Sequence, residues 1–264
     1  MTGVDLDQAL LVEQEHAESF VAERVVPGVE VHEDRDITWM VHSGQAWRNA
    51  GIMVRFSDSS AARRLETLIA RYQRHRRGMT LWISPSATPA NIGELLTARG
   101  LRCRKYYPAM IRTPRDRVAP VAAPEALVIR RVTDLAAFRT TAHPAIGPLT
   151  TELRRAAFAR LGALLSDTEE RTRNYVAWLK DEPVGAIEIF VGSESAGVHG
   201  LSVLEAHQRR GIASALLEHA WEDVQDLGAR SLGLLATSEG QQVYVRRGFR
   251  EVARFGCWYR SFQR

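Results

Sequence analysis

Residues 201–224 read LSVLEAHQRRGIASALLEHAWEDV and join a short β-like run to an amphipathic helix. The change takes place within QRRGIA, residues 208–213, where two arginines and a glycine precede the helix. A helix over residues 211–227 places five apolar residues on one stripe: Ile212, Leu216, Ala220, Val224 and Leu227. The stretch therefore predicts a strand, a loop and a helix that packs one face on a core.

The loop at residues 208–213 has the chemistry of an anion site. The first four N–H groups of a helix have no partner inside it, and its N-terminus carries about half a positive charge. Gly211 lets the backbone approach a ligand, Ala213 keeps the second turn uncrowded, and Arg209 and Arg210 add positive charge. Two solvated arginines before an ordinary helix would read the same way, and neither a Walker nor a Rossmann glycine pattern is present. The residues alone thus indicate a phosphate or pyrophosphate site without identifying the ligand.

Composition narrows the class of protein. The 264 residues suffice for two domains of ordinary size, and 45% hydrophobic with 25% charged residues is typical of a globular chain. This excludes collagen, coiled coil and disorder as the main architecture. The formal charge of +4 is too small for a dedicated nucleic-acid binder, so we expect no nucleic-acid partner.

Cysteine use and the apolar pattern indicate where the protein works. Cys103 and Cys257 are too few and too far apart for a zinc site or a disulfide framework, so we expect no metal and a reducing compartment. The first twenty residues lack a signal peptide, and no apolar window is long enough to cross a bilayer. We expect a cytoplasmic protein with no membrane partner.

Apolar periodicity and turn residues set out the predicted elements along the chain. Helices are predicted at residues 5–26, 59–74, 90–99, 134–165 with a break at 144–148, 211–227 and 238–247. Strands are predicted at residues 36–41, 51–56, 79–83, 103–111, 127–131, 174–180, 183–191, 198–203, 231–236 and 251–259. Hairpins and strand–helix–strand units both occur in this order, which predicts an α/β (α+β) fold with mixed sheets.

A proline-rich segment divides the chain. Residues 113–125 hold three of the ten prolines and show no apolar period. We therefore predict a first domain at residues 1–113, a linker at 114–125 and a second domain at 126–264.

Two motifs resemble the GCN5-related N-acetyltransferases, the GNAT superfamily. QRRGIA at residues 208–213 matches the family's Q/R-x-x-G-x-G/A signature between a strand and a long helix. About thirty residues later, Tyr244-Val-Arg-Arg-Gly248-Phe249 resembles the family's tyrosine segment. The resemblance covers roughly residues 127–259 and implies acetyl-CoA as co-substrate.

The resemblance also implies which residues hold acetyl-CoA. Backbone groups of the strand, Leu201, Ser202 and Val203, would pair with the pantetheine arm, and a bulge or splay there would aim an amide at the thioester oxygen. Thr237 stands where the family often has asparagine, which weakens any contact to coenzyme A at that position. The loop would bind the pyrophosphate through Gln208, Arg209, Arg210, Gly211, Ile212, Ala213 and Ser214.

Acetyl transfer to an amine also needs groups that move protons. Tyr244 matches the family tyrosine near the sulfur and is the candidate general acid, although it could instead only pack a helix on the sheet. His199 is a candidate base, and strand alternation predicts its side chain on the same face as that of Leu201. Glu188 is the rival base, and either residue could have a purely structural or solvated role.

The first half contains no acetyl-CoA signature. Its order of strands and helices, with Trp82-Ile-Ser-Pro85 and Pro108-Ala-Met110, resembles the degenerate amino-terminal half of tandem acetyltransferases. The resemblance thus implies two GNAT-like lobes, each a mixed, mostly antiparallel twisted sheet flanked by helices. The basic run at residues 71–77 is interpreted as the solvated end of a helix, and Trp39, Trp47 and Trp82 as core or interface residues.

Together these features predict an acetyl-CoA-dependent N-acetyltransferase, with the second lobe active. The acceptor is expected to be a small molecule with a primary amine, such as an amine, an amino-acid derivative or an amine-bearing antibiotic. Two alternatives stay open: a non-catalytic acyl-CoA-binding regulator and an acyltransferase that acts on a protein amino group. The sequence gives no indication of oligomeric state.

Overall fold

The described residues of this computed structural model, 4–42, 48–74, 78–116, 118–133, 159–166 and 170–262, fold into two α/β units. One unit comprises Met1–Ala109 together with Glu251–Arg264, and the other comprises Met110–Arg250. Each has a mostly antiparallel sheet flanked by helices, which confirms the predicted fold class. Within the described ranges, none of the helices combines the length and the apolar character needed to span a bilayer.

The first unit takes strands from both ends of the chain. Asp5 begins its first helix, because the carboxylate accepts a hydrogen bond from the backbone N–H of Gln8 at 3.2 Å. Its sheet runs in the order β1-β2-β3-β4-β11-β5; β1–β2, β2–β3 and β4–β11 pair antiparallel, whereas β3–β4 is parallel. The elements are α1 (Leu6–Ala22), β1 (Val29–Asp34), β2 (Ile37–His42), β3 (Ala50–Ile52), α2 (Ala61–Arg74), β4 (Met79–Ile83), α3 (Ile92–Ala98), β5 (Arg102–Arg112) and β11 (Arg250–Arg260).

Tyr72 on α2 ties the helix to the sheet in the core of this unit. Its buried hydroxyl donates to the carbonyl oxygens of Met40, at 2.9 Å, and Ala50, at 3.0 Å. Trp39 lies edge-on to the Tyr72 ring with 5.7 Å between centroids, which confirms its core role. Trp82 packs partly buried beside the same sheet, while Trp47 lies outside the described residues.

Two features of the first unit differ from or extend the sequence prediction. β1 was not predicted, because its sequence VEVHED carries four charged or titratable side chains and its burial is only partial. In the predicted basic helix end, Arg71 pairs with Glu30 on β1 at 3.6 Å, and residues 75–77 lie outside the described residues.

The second unit is a sheet in the order β10-β9-β8-β7-β6, in which only the β9–β10 pair is parallel. A helical segment at residues 159–165 precedes β7, and the rest of the helix predicted at residues 134–158 lies outside the described residues. The elements are β6 (Leu127–Val132), β7 (Thr172–Leu179), β8 (Glu182–Val191), β9 (Ala196–Val203), α4 (Ile212–Asp226), β10 (Leu232–Leu235) and α5 (Gln241–Arg246).

The apolar stripe of α4 forms the centre of this core. Its members Ile212, Leu216, Ala220 and Val224 are at most 1% exposed. Leu227 does not continue the stripe and is 50% exposed, contrary to prediction. The reason is that the helix ends at Asp226, so that Leu227 is the C-cap residue and no longer follows the helical period.

The compact units do not coincide with the predicted domains. The last strand was predicted in the second domain, whereas β11 is grouped with the first unit and pairs antiparallel with β4 from Gly256 to Arg260. The linker at residues 114–125 has no regular secondary structure where it is described and belongs to the second unit. The first unit is therefore discontinuous in sequence, and the second is continuous.

Candidate active site

β9 has an edge that its neighbour covers only in part. β10 pairs with it at Leu232 and Gly233, opposite Ala196 and Gly197. Over residues 198–203, no strand lies on this edge among the described residues, although the other edge pairs with β8. Free N–H and C=O groups on a strand edge can bind an extended ligand in the manner of an added strand. The predicted splay beside Leu201 to Val203 is therefore present.

The same strand contains a β-bulge. Glu188 of β8 lies opposite Gly200, but the next residue of β8, Ile189, lies opposite Val198. His199 is thus the extra residue of β9, and the predicted bulge is confirmed. A bulge re-aims the backbone groups around it, and here it does so beside the open edge.

The loop after β9 has a strained, closed conformation. Arg209 has φ +59° and Gly211 has φ +80°, so two of three successive residues are left-handed. The Gln208 side chain donates from Nε2 to the Val203 carbonyl at 3.2 Å and closes the loop back onto β9. When left-handed residues alternate with other conformations along the backbone, successive N–H groups form a concave surface suited to anions. Backbone strain in a non-glycine residue such as Arg209 is typical of functional loops.

The first turn of α4 retains its free amides. Among the described residues, the N–H groups of Ile212, Ala213 and Ser214 have no hydrogen-bond acceptor, and Gly211 caps the helix without a side chain. Arg209 and Arg210 are exposed beside them. The loop thus presents backbone donors, a helix N-terminus and two cations to the same region.

Gly211 is required for a reason that the sequence does not reveal. A Cβ on this residue would overlap the carbonyl oxygen of Ala122 and lie 2.9 Å from the Ala122 carbonyl carbon. The atoms nearest to the glycine therefore come from the linker. Its left-handed φ and this close approach both exclude a side chain.

Tyr244 lies on α5, after β10, and packs against the same core as Leu201 and Val203. Its ring is edge-on to Phe249, with 5.7 Å between centroids. Burial raises the pKa of the Tyr244 hydroxyl to about 12, since the phenolate would lose its hydration. Thr237, at the position where asparagine is frequent in the family, instead accepts from the N–H of Gly240 at 3.2 Å in the turn before this helix.

The bulge makes one sequence-based prediction wrong. Strand alternation predicted His199 and Leu201 on one face, but Leu201 packs with Ile187 and Val198 in the core under α4. The His199 ring lies edge-on to Phe190, 6.2 Å between centroids, and is not part of that core. The extra residue at the bulge breaks the two-residue period, so His199 faces the other side of the sheet.

Glu188 is on the same side of the sheet as His199. It lies opposite Gly200 on β9 and opposite Asn174 on β7. Both of its carboxylate oxygens accept from Arg160, each at 2.9 Å, and the two side chains are 19% and 12% exposed. This bidentate pair fixes the orientation of the Glu188 side chain.

Two polar residues of this face escaped the sequence reasoning. Asn174 is 5% exposed, and its Nδ2 has no hydrogen-bond partner among the described residues. The sequence could have indicated Asn174 as a site residue, because it stands at the start of the apolar run NYVAWL. A buried polar group without a partner is costly and therefore needs an explanation. Arg160 gave no such signal, since an arginine on a helix usually faces solvent. The structure thus groups Glu188, His199 and Asn174 on one face and Tyr244 with Leu201 on the other.

The second unit has three features that the sequence resemblance implies: a parallel strand pair that opens beyond its first residues, a glycine turn that starts a helix and a tyrosine after the next strand. Residues 170–251 match the family model described as Acetyltransferase (GNAT) domain. Except for its last residue, this match lies within the second unit, and it agrees with the resemblance seen in the sequence.

The whole chain also has the fold of solved GNAT proteins. It matches a GCN5-related N-acetyltransferase from Kribbella flavida with a TM-score of 0.69 at 15% identity, covering 98% of this chain and 96% of that one. A tandem GNAT protein from the clavulanic acid biosynthesis pathway matches with a TM-score of 0.62 at 14% identity, over 98% and 95% of the two chains. A GCN5-related N-acetyltransferase from Sphaerobacter thermophilus gives 0.61 at 16% identity, over 88% and 82%. No curated protein matches the sequence.

Proposed function

We propose that the second unit is an acetyl-CoA-dependent N-acetyltransferase that acts on the primary amine of a small molecule. The observation that carries the proposal is the continuity of the open edge of β9 with the left-handed loop and the free first-turn amides of α4. An extended amide-containing arm and a diphosphate are the two parts of coenzyme A that such a surface fits.

Different residues would bind the two parts of the donor. Backbone groups of Leu201, Ser202 and Val203 would pair with the pantetheine amides along the open edge. The diphosphate would bind the N–H groups from Arg209 to Ser214, with the guanidinium groups of Arg209 and Arg210 beside it. Gln208 would act by closing the loop rather than by contacting the donor.

Three groups would serve the developing negative charge and the two proton transfers. An N–H of the bulged segment at residues 198–200 would donate to the thioester oxygen as negative charge develops on it. The Tyr244 hydroxyl, protonated at neutral pH, would give its proton to the departing sulfur as the carbon–sulfur bond breaks. His199 would accept the proton that the attacking amine loses, directly or through water.

The acceptor would approach from the face that carries His199, Glu188 and Asn174. Glu188 is fixed by Arg160, and the Asn174 amide has no partner among the described residues, so both are suited to orient a polar acceptor. An amine, an amino-acid derivative and an amine-bearing antibiotic all fit this description.

A thiol-release screen tests the proposal. The protein is incubated with acetyl-CoA and a panel of amines, and free coenzyme A is measured with a thiol reagent while binding of acetyl-CoA is measured by calorimetry. We expect saturable binding and amine-dependent thiol release for at least one class of amine. Absence of saturable acetyl-CoA binding would overturn the proposal.

A second candidate function is a non-catalytic acyl-CoA-binding regulator. It is favoured by the Arg160–Glu188 pair, which engages both oxygens of one of the two candidate bases. Tight acetyl-CoA binding with no thiol release from small amines or from peptides with free amino termini would support it. Release with the peptides alone would instead support transfer to a protein amino group.

A further inference from the structure

The linker lies directly against the proposed diphosphate loop. The Ala122 carbonyl occupies the position that a Gly211 Cβ would need, and the Cα of Ala123 is 3.3 Å from that position. Gly211 is in turn the residue that sets the direction of the first turn of α4. The linker backbone therefore borders the loop at Gly211, the loop residue whose backbone is least restricted.

The linker is held in place at two further points. Arg247 donates from its guanidinium to the Ala119 carbonyl at 2.9 Å. Gly248, with φ +78°, leaves room for Val118 and Asp116, which a Cβ would approach to 2.8 and 3.3 Å. These contacts restrain the linker, which has no regular secondary structure where it is described, at Asp116, Val118 and Ala119.

Arg247 is fixed by α4 itself. Glu218, two turns into the helix, accepts from Arg112 at 2.7 and 3.0 Å and lies 3.6 Å from Arg247. Arg112 and Arg247 are 4% and 7% exposed, so both cations are buried against this one carboxylate. The helix that supplies the amides also fixes the arginine that holds the linker.

We propose that the linker, residues 114–125, is a positioning element of the donor site. Its backbone at Ala122 keeps Gly211 left-handed, and this keeps the N–H groups of Ile212 to Ser214 directed at the diphosphate before the donor binds. The inference rests on the proposed function of the loop. Without the linker contact, donor binding would have to order the glycine, which corresponds to about a tenfold loss of affinity.

Arg247→Met tests the linker contact, with Arg246→Met as its matched control. Arg246 is the adjacent arginine, is exposed and bonds only Gln242 on its own helix among the described residues. The probes are coenzyme A and S-acetylpantetheine, which lacks the diphosphate, and binding is measured by calorimetry. We expect Arg247→Met to weaken coenzyme A about tenfold and to leave S-acetylpantetheine unchanged. Arg246→Met should bind both probes as the parent does, and Arg247→Lys should recover part of the loss.

A second variant tests the linker without touching the ion pair. Pro120→Gly, Ala122→Gly and Ala123→Gly are combined, and amide exchange of residues 208–216 is followed by mass spectrometry without ligand. We expect faster exchange in this segment and the same selective loss of coenzyme A affinity.

The outcomes separate the two proposals. Parent-like exchange at residues 208–216 and parent-like coenzyme A affinity in both variants would overturn the role of the linker. A parent protein that binds no coenzyme A would overturn the proposed function, whereas the exchange measurement would still report whether the linker restrains Gly211. Equal loss of both probes in Arg247→Met would indicate general damage to the site and would also overturn the inference.

Discussion

At the scale of single residues, burial sets the protonation state of the Tyr244 hydroxyl. Its pKa is raised to about 12, so the group keeps its proton through the physiological range. A residue in this state can donate a proton to a thiolate but cannot serve as the base for an amine. Burial therefore keeps the hydroxyl protonated at neutral pH, but the raised pKa also makes it a weaker acid.

Tyr244→Phe should lower kcat by about 100-fold or more and leave the Kd for acetyl-CoA within about twofold, because only the hydroxyl is removed. Since a group with a raised pKa loses its proton only at higher pH, kcat should show no fall from this group between about pH 7 and pH 10. Thiol-release kinetics and calorimetry give both values. Tyr106→Phe, at an exposed tyrosine of the first unit, is the control, and unchanged kcat in Tyr244→Phe would remove it as the acid.

The two candidate bases should respond differently to amide substitution. His199→Gln is expected to lower kcat by about 100-fold, whereas Glu188→Gln should mainly raise KM for the amine, because Arg160 already engages both oxygens of Glu188. Steady-state kinetics at saturating acetyl-CoA distinguish the effects. A larger loss of kcat in Glu188→Gln than in His199→Gln would assign the base to Glu188.

Gly211 and Gly228 form a matched pair of left-handed glycines at the two ends of α4. Gly228→Ala adds a methyl group where nothing lies within 4 Å, so we expect only the left-handed penalty of about 1 kcal/mol. Gly211→Ala adds the same strain and also displaces the Ala122 carbonyl, so the loss in free energy of unfolding should be larger. Urea denaturation measures the free energy of unfolding of both variants. Equal losses would mean that the linker moves away from Gly211 without a cost in free energy.

At the scale of elements, α4 connects the loop to buried charge. Its first turn offers free amides, and Glu218 further along neutralises Arg112 and Arg247. The Arg112 guanidinium also lies 5.5 Å from the Trp221 ring centroid on the same helix. One helix thus orients the proposed anion site and holds the chain segments around it.

Glu218→Gln should destabilise the protein by about 3 kcal/mol, the low end for a broken buried ion pair, because Glu218 is 20% exposed. The cost arises because two buried guanidinium groups lose their counter-charge. Glu222→Gln on the exposed side of the same helix is the control and should change the free energy of unfolding by less than about 0.5 kcal/mol. Chemical denaturation of the two variants measures the difference, and equal values would contradict this account.

Apolar periodicity predicted most elements because α2, α4 and the hairpin of β7 and β8 carry strong local patterns. It missed β1, whose charged sequence suits a partly exposed edge, and it placed Leu227 on a helix face that ends one residue earlier. A bulge or splay was expected in the strand of Leu201 to Val203, but neither the position of the bulge at His199 nor its effect on the side chain was predicted. A register shift is set by pairing with β8, and β9 alone does not encode it.

At the scale of the whole molecule, the sequence predicted two lobes and the composition of the phosphate loop, but not contacts between distant segments. The Ala122 carbonyl on Gly211 and the pairing of β11 with β4 join residues far apart in the chain. No local pattern specifies such neighbours, since periodicity reports only which face of an element is buried.

Phe255→Ala, at a fully buried position of β11, should destabilise the first unit by about 3–5 kcal/mol. The effect should appear as faster amide exchange in β4, because β4 pairs with β11. Val245→Ala, at an exposed apolar residue of the second unit, is the control. Unchanged exchange at residues 79–83 in Phe255→Ala would contradict the assignment of the last strand to the first unit.

The discontinuous first unit sets an order for biosynthesis. β11 follows the second unit in the chain, so the sheet of the first unit lacks this strand until residues 110–250 have been translated. The continuous second unit can complete its contacts in the interval, as domains generally do during synthesis. During synthesis the edge of β4 that pairs with β11 therefore stays open until the second unit has been translated, and an unpaired strand edge is a site of unwanted pairing.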